Sequence, residues 1–137
     1  MSKIMFLENY QYRKIDHPEH KYEMIEEFYF IDPNIVKYKC DHGFFSIGNG
    51  CITARKGYAW DGCSGPTIDD DTNMRASLFH DIWYQAMSEK LLPRNWRTRR
   101  AGDKLFLKIL KEDGMPWHRR TAYFYSVRGA GALFAYF

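Results

Sequence analysis

No stretch of this chain comes near the roughly 18 consecutive apolar residues of a membrane-spanning helix. Cysteine is scarce too: the three, at positions 40, 51 and 63, are odd in number and form no Cys-x-x-Cys pair. Neither a disulfide framework nor a four-sulfur zinc site is indicated by that pattern. No internal repeat, low-complexity tract or convincing linker is visible, and no segment combines low hydrophobicity with the charge excess of a disordered chain. The start, Met1 to Asn9, lacks the charged and then apolar layout of a secretory signal. A soluble protein of the cytosol is the expectation.

What is present fits a single domain over residues 1–137, long enough for a real core and too short for two comfortable ones. Phe28 to Ile31, Val36 to Lys39, Phe44 to Ile47, Cys51 to Arg55 and Tyr58 to Trp60 are short runs rich in aromatic and β-branched residues. Turn residues separate them, so residues from about 26 to 60 read as a small antiparallel sheet. Gly48-Asn49-Gly50 is a hairpin signal, and Cys40 and Cys51 read as small core residues. The first 25 residues mix charge and aromatics without periodicity and read as loop.

The run Trp60 to Thr67 leaves the last strand as a loop of small residues, and Asp69, Asp70, Asp71 and Thr72 offer caps for a helix from about Thr72 to Ser88. Leu91-Leu92-Pro93-Arg94 breaks that helix, and Asn95 or Thr98 can cap a second one ending at Asp113-Gly114. Pro116 opens a third through about Arg128, beyond which Gly129-Ala130-Gly131-Ala132 looks too rich in glycine to propagate it. With a helical region over about 72–134, the fold class is α+β: a small N-terminal antiparallel sheet followed by about three α-helices.

The densest chemistry is the run His80-Asp81-Ile82-Trp83-Tyr84. At helical spacing Ser77, Asp81, Tyr84 and Ser88 fall within roughly 100° of His80, while Leu78, Phe79, Ile82, Trp83 and Ala86 occupy the opposite arc. A base, a metal ligand and an orienting hydroxyl can share that wall; the structural alternative is that the stripe is the wet face of an amphipathic helix. In the second helix Asp103 lies with Phe106, Leu107 and Leu110, away from Lys104, Lys108 and Lys111, and so points inward. A carboxylate taken out of water needs a donor or a cation, and the candidates are His80, Tyr84 and Arg75. Antiparallel packing of the two helices lets Asp103 bond one imidazole nitrogen of His80 and leaves the other to accept a proton from water. The alternative is a structural ion pair between Arg75 and Asp103. Cys63, in the glycine loop, is a weak nucleophile candidate, since a thiol nucleophile needs a lowered pKa and nothing in the sequence shows one.

Residues 57–134 resemble a family common in tailed phages and prophages, domain of unknown function 1353 (DUF1353). The resemblance rests on Trp60-Asp61-Gly62-Cys63-Ser64-Gly65-Pro66, on Arg75 with His80-Asp81 and Tyr84, and on Ala101-Gly102-Asp103 with Phe106. Cys63 stands where that family often has alanine, and Gly102 is inserted. More distantly, a glycine loop, a His-Asp-x-x-Tyr helix and an inward Asp on a second helix are similar to the phospholipase A2 superfamily. That likeness implies His80 as general base, Asp103 holding the imidazole and Tyr84 bonding Asp103. It also implies calcium, held by Asp81 and by backbone carbonyls of the Trp60 to Gly65 loop, Trp60, Gly62 and Ser64 among them, with Asp61 and Arg75 as supports. The disulfides of secreted phospholipases are absent, and an N-terminal sheet is unlike that superfamily's helical core.

Two further readings stay open. The His80-Asp81 pair also resembles metal-dependent phosphohydrolases of the His-Asp type, for which His17, His20, His42 and His118 are the remaining histidines. In a non-catalytic phage structural or host-interaction protein, the same residues would form a structural hydrogen-bond network. Charge bears on partners: residues 91–137 carry 10 Lys/Arg against 3 Asp/Glu, whereas residues 1–90 carry 10 against 14. A basic, aromatic C-terminal third suits an anionic membrane surface, a phage or host protein or, less well, nucleic acid. The expected location is the host cytoplasm, with virion association as the alternative. His17-Pro18-Glu19-His20 reads as a surface loop, and Gly129 to Phe134 as only a superficial phosphate-loop likeness, with no strand before it.

Overall fold

Alternation of apolar and polar residues builds the N-terminal part of the chain. The computed structural model describes residues 12–17, 20–62 and 72–136, and places antiparallel sheets before three helices, an α+β arrangement. Contacts divide the chain into two compact units, Met1–Gly62 and Cys63–Phe137.

In the first unit, strands β1 (Tyr12–Lys14), β2 (Tyr22–Met24), β3 (Phe28–Ile31), β4 (Cys40–Asp41), β5 (Phe45–Gly48), β6 (Cys51–Ala54) and β7 (Ala59–Trp60) form two sheets. One has the order β1-β2-β7 and the other β3-β6-β5-β4, every pairing antiparallel. Period-two burial puts Phe28, Phe30, Phe45, Ile47, Ile52 and Ala54 inside, while Tyr29 and Ile31 face out. The hairpin signal is realised as a two-residue turn with Gly48 paired to Cys51. Asn49 (φ 54) and Gly50 (φ 75) are both left-handed, and a Cβ on Gly50 would stand 3.1 Å from the Asp32 carbonyl oxygen.

Two expectations need correction here. The first 25 residues are not all loop, because β1 and β2 pair with each other and β2 with β7. Strands of three residues are too short to show a period, and the β2 partner lies more than thirty positions away. Val36 to Lys39 is not a strand. The Asp32 carboxylate accepts the Asn34 N–H at 2.9 Å and Pro33 fixes the first φ, so the chain makes a 3-10 turn over Pro33–Ile35 and pairs only from Cys40.

The second unit contains α1 (Met74–Ser88), α2 (Trp96–Glu112) and α3 (Trp117–Tyr136). The acidic caps expected at Asp69 to Asp71, and Cys63, lie outside the described residues; Asn73 occupies the N-cap of α1 without a side-chain bond there. Asn95 caps α2, its side chain accepting the Thr98 N–H at 2.9 Å, and Gly114 (φ 89) follows the last turn. α1 is buried nearly all round, so the polar arc containing His80 and Ser77 is not a wet face. Leu78, Phe79, Ile82, Trp83 and Ala86 are completely buried, as are Ile109 and Leu110 of α2, the helix on which α1 packs. The third helix does not stop near Arg128 but runs to Tyr136. Two glycines cost about 1 kcal/mol each relative to alanine, a weak preference beside packing of a long helix on its neighbour.

Candidate functional site

A polar cluster closes the interface of the three helices. His80, in the middle of α1, points its Nε2 at Asp103 Oδ1, 2.8 Å away on α2. One turn further along α1, the Tyr84 hydroxyl donates to the same oxygen at 2.6 Å. The second carboxylate oxygen, Oδ2, accepts from Arg128 Nη1 on α3 at 3.1 Å. Asp103 is completely buried, and three donors from two neighbouring helices offset the loss of water that an isolated carboxylate could not bear. Arg99, also buried, steadies the third donor by bonding the Arg128 carbonyl through Nη1 at 3.0 Å.

The imidazole is held on its faces as well as at its edge. Its ring centre lies 4.3 Å from that of Tyr84 and 4.8 Å from that of Phe106. With an ionised Asp103 accepting at Nε2, the ring proton resides there and the Nδ1 lone pair is the basic position. Among the described residues nothing hydrogen-bonds Nδ1, and the His80 side chain retains 11% exposure. Burial first, and then the bond to Asp103, push the Tyr84 phenol above its ordinary range, so Tyr84 remains a neutral donor. The cluster thus combines an oriented base, a buried anion that fixes it and two donors that fix the anion.

Arg75 does not join this cluster. Its Nε and Nη2 form a two-point contact with Asp113, at 3.0 and 2.7 Å, and Nη2 also reaches Glu112 at 3.2 Å. The alternative Arg75–Asp103 pair is therefore not formed, and Arg75 instead ties the first turn of α1 to the C-cap of α2. Arg128 takes the cationic role at Asp103. Its signal in the sequence is slight: it lies four residues beyond half-buried Phe124, just before glycines whose low helix propensity argues for a helix end.

Asp81 is half-buried on α1 and is the sole carboxylate of that helix. Trp60 and Gly62 belong to the first unit. Trp60 is buried in β7 with its carbonyl accepting the Lys21 N–H at 3.1 Å, and Gly62 turns the chain with φ 81. Asp61 faces His20 across 3.5 Å in the same unit. Ser64 lies outside the described residues. Calcium takes six to eight oxygens. Among the described residues no group of three or more His, Cys, Asp or Glu side chains converges on a metal position. Of the histidines raised for phosphohydrolase chemistry, His17, His20 and His42 are in the first unit and His118 is exposed at the start of α3.

A family model described as protein of unknown function (DUF1353) matches residues 45–127, a span that includes His80, Tyr84 and Asp103. No curated protein and no solved structure matches the chain.

Proposed function

We propose from the geometry of its site that this chain, which belongs to the DUF1353 family, is an ester hydrolase of phospholipase A2-like type acting on lipid, in a phage or prophage setting. One observation carries the reading: His80 gives Nε2 to a buried, fully engaged carboxylate, while Nδ1 has no partner among the described residues. Nδ1 takes a proton from water as the water oxygen attacks the ester carbonyl, and returns it to the departing alcohol. Asp103 holds the ring in the required tautomer and stabilises the imidazolium that forms. Tyr84 and Arg128 keep Asp103 from turning away. Asp81 would contribute to holding a calcium ion, and the ion would polarise the ester carbonyl.

The test is turnover of glycerophospholipid vesicles by the full chain with and without calcium, set beside the His80→Gln variant. The reading requires hydrolysis by the native chain and at least a 100-fold loss in the variant, with little change in melting temperature. No hydrolysis by the native chain under either condition overturns it. Complete burial of Asp103 favours a second, non-catalytic reading in which the network only locks three helices together. Under that reading His80→Gln lowers stability by about 1 to 3 kcal/mol, and no substrate is turned over.

A further inference from the structure

The face of α2 opposite its buried side carries a single row of positive charge. Arg97, Arg100, Lys104, Lys108 and Lys111 recur at three- and four-residue steps and fall within an arc of roughly 80°, centred nearly opposite the arc of Gly102, Leu105, Phe106 and Ile109. Arg97, Arg100, Lys104 and Lys111 are exposed and Lys108 is half-buried. The row is about 21 Å long. Within α2 no acid lies in the row: Asp103 is buried on another side, and Glu112 is turned to Arg75.

Such a row is costly in the isolated protein. Arg97–Arg100, Arg100–Lys104, Lys104–Lys108 and Lys108–Lys111 are each like-charged neighbours at a spacing where opposite charges would stabilise the helix. A polyanion laid along the crest relieves all four repulsions together. The margin of the row is apolar: Trp96, half exposed and covered by the Arg97 guanidinium at 5.2 Å, and half-buried Leu107 flank it on one side.

We propose that this crest of α2 is a docking surface for an anionic lipid bilayer. A straight, convex line of cations bordered by an indole and a leucine suits a flat sheet of phosphate headgroups, with the apolar margin entering the headgroup layer. A nucleic-acid strand would be better served by a concave basic channel with several stacking rings, and the crest offers one indole. No helix of the described residues is long and apolar enough to cross a membrane. The surface stands whether or not His80 turns over an ester, because binding is read without turnover.

The experiment is co-sedimentation of the full chain with vesicles of phosphatidylcholine, with and without one third phosphatidylglycerol. Arg97→Gln/Arg100→Gln/Lys104→Gln is compared with Lys14→Gln/Lys39→Gln/Lys56→Gln, which removes the same charge from exposed positions of the first unit. The native chain should partition to anionic vesicles, release at 0.5 M salt, and lose roughly 100-fold in the crest variant, since each cation near such a surface contributes about fivefold. The control variant should change by less than about threefold, and the crest variant should melt no lower than the native chain. Equal losses in the two variants, equal binding to neutral vesicles, or tighter binding to a duplex oligonucleotide than to anionic vesicles would each overturn the proposal.

Discussion

Gly102 and Trp83 are in contact so close that neither can be exchanged independently. The indole, completely buried on α1, donates from Nε1 to the Thr98 carbonyl at 2.8 Å, and a Cβ on Gly102 would stand 2.2 Å from its Cδ1. Glycine in the middle of α2 thus allows Trp83 to lie against the helix backbone one residue before Asp103. Gly102→Ala should lose about 1 to 3 kcal/mol through overpacking, where helix propensity alone gives a gain of about 1 kcal/mol. Urea unfolding of the variant measures the sign. A stabilised variant would mean that the indole moves aside freely.

Arg75 and Asp113 offer a second test, because their contact is buried on both sides whereas the neighbouring Glu112 is 39% exposed. Asp113→Ala leaves the guanidinium without its two-point partner and should cost about 3 to 5 kcal/mol. Glu112→Ala should cost less than about 1 kcal/mol, since water and salt already screen that pair. Denaturation of the two variants side by side checks the ratio, and near-equal losses would contradict this assignment of the buried charge.

The features legible in the sequence are those written within one or two turns of chain. Gly48-Asn49-Gly50 encodes its own turn, Asn95 its cap, Gly114 its helix end, and the side of α2 on which Asp103 falls follows from the spacing of Phe106 and Leu110. The hydrogen bond between Asp103 and His80 then follows from packing two helices. Partners chosen across long separations were not legible. Arg75 had an acid at hand in Asp103, yet the offset between α1 and α2 delivers it to Asp113, and that offset is set by whole-helix packing. β1 and β2 are three-residue strands whose place depends on β7. Arg128 was hidden because glycine propensity argued for a helix end, while the actual helix continues through it.

Tyr84 gives a prediction in pH. Its phenol is raised above 10.0 in the folded protein, so above pH 10 the unfolded chain binds fewer protons than the native one. Stability is therefore fully present below about pH 10 and falls as pH rises toward the folded value, by at most about 1.4 kcal/mol per pH unit from this group. Tyr84→Phe should lower stability at pH 7 by about 1.5 to 3 kcal/mol, the worth of a hydrogen bond to a charged group, and should make the fall above pH 10 shallower. Urea midpoints of both proteins between pH 7 and 11 decide it. Parallel pH curves would show that the hydroxyl does not serve Asp103.

Lys90 ends α1 in a conformation that suits glycine. Its φ is 62°, and the turn closes with the Leu91 N–H on the Ala86 carbonyl at 2.8 Å and the Lys90 N–H on the Met87 carbonyl at 3.0 Å. This six-to-one closure places a left-handed residue just past the helix, where a Cβ crowds the backbone. Lys90 is exposed, so replacing it removes no buried packing. Lys90→Gly should therefore raise stability by about 0.5 to 1 kcal/mol, relief of the left-handed strain exceeding the extra freedom that glycine gives the unfolded chain. Lys90→Ala, which keeps the Cβ, should leave it unchanged within about 0.5 kcal/mol. A gain in the alanine variant equal to that in the glycine variant would assign the effect to the lysine charge instead of the backbone, and thermal melts at two salt concentrations separate the two.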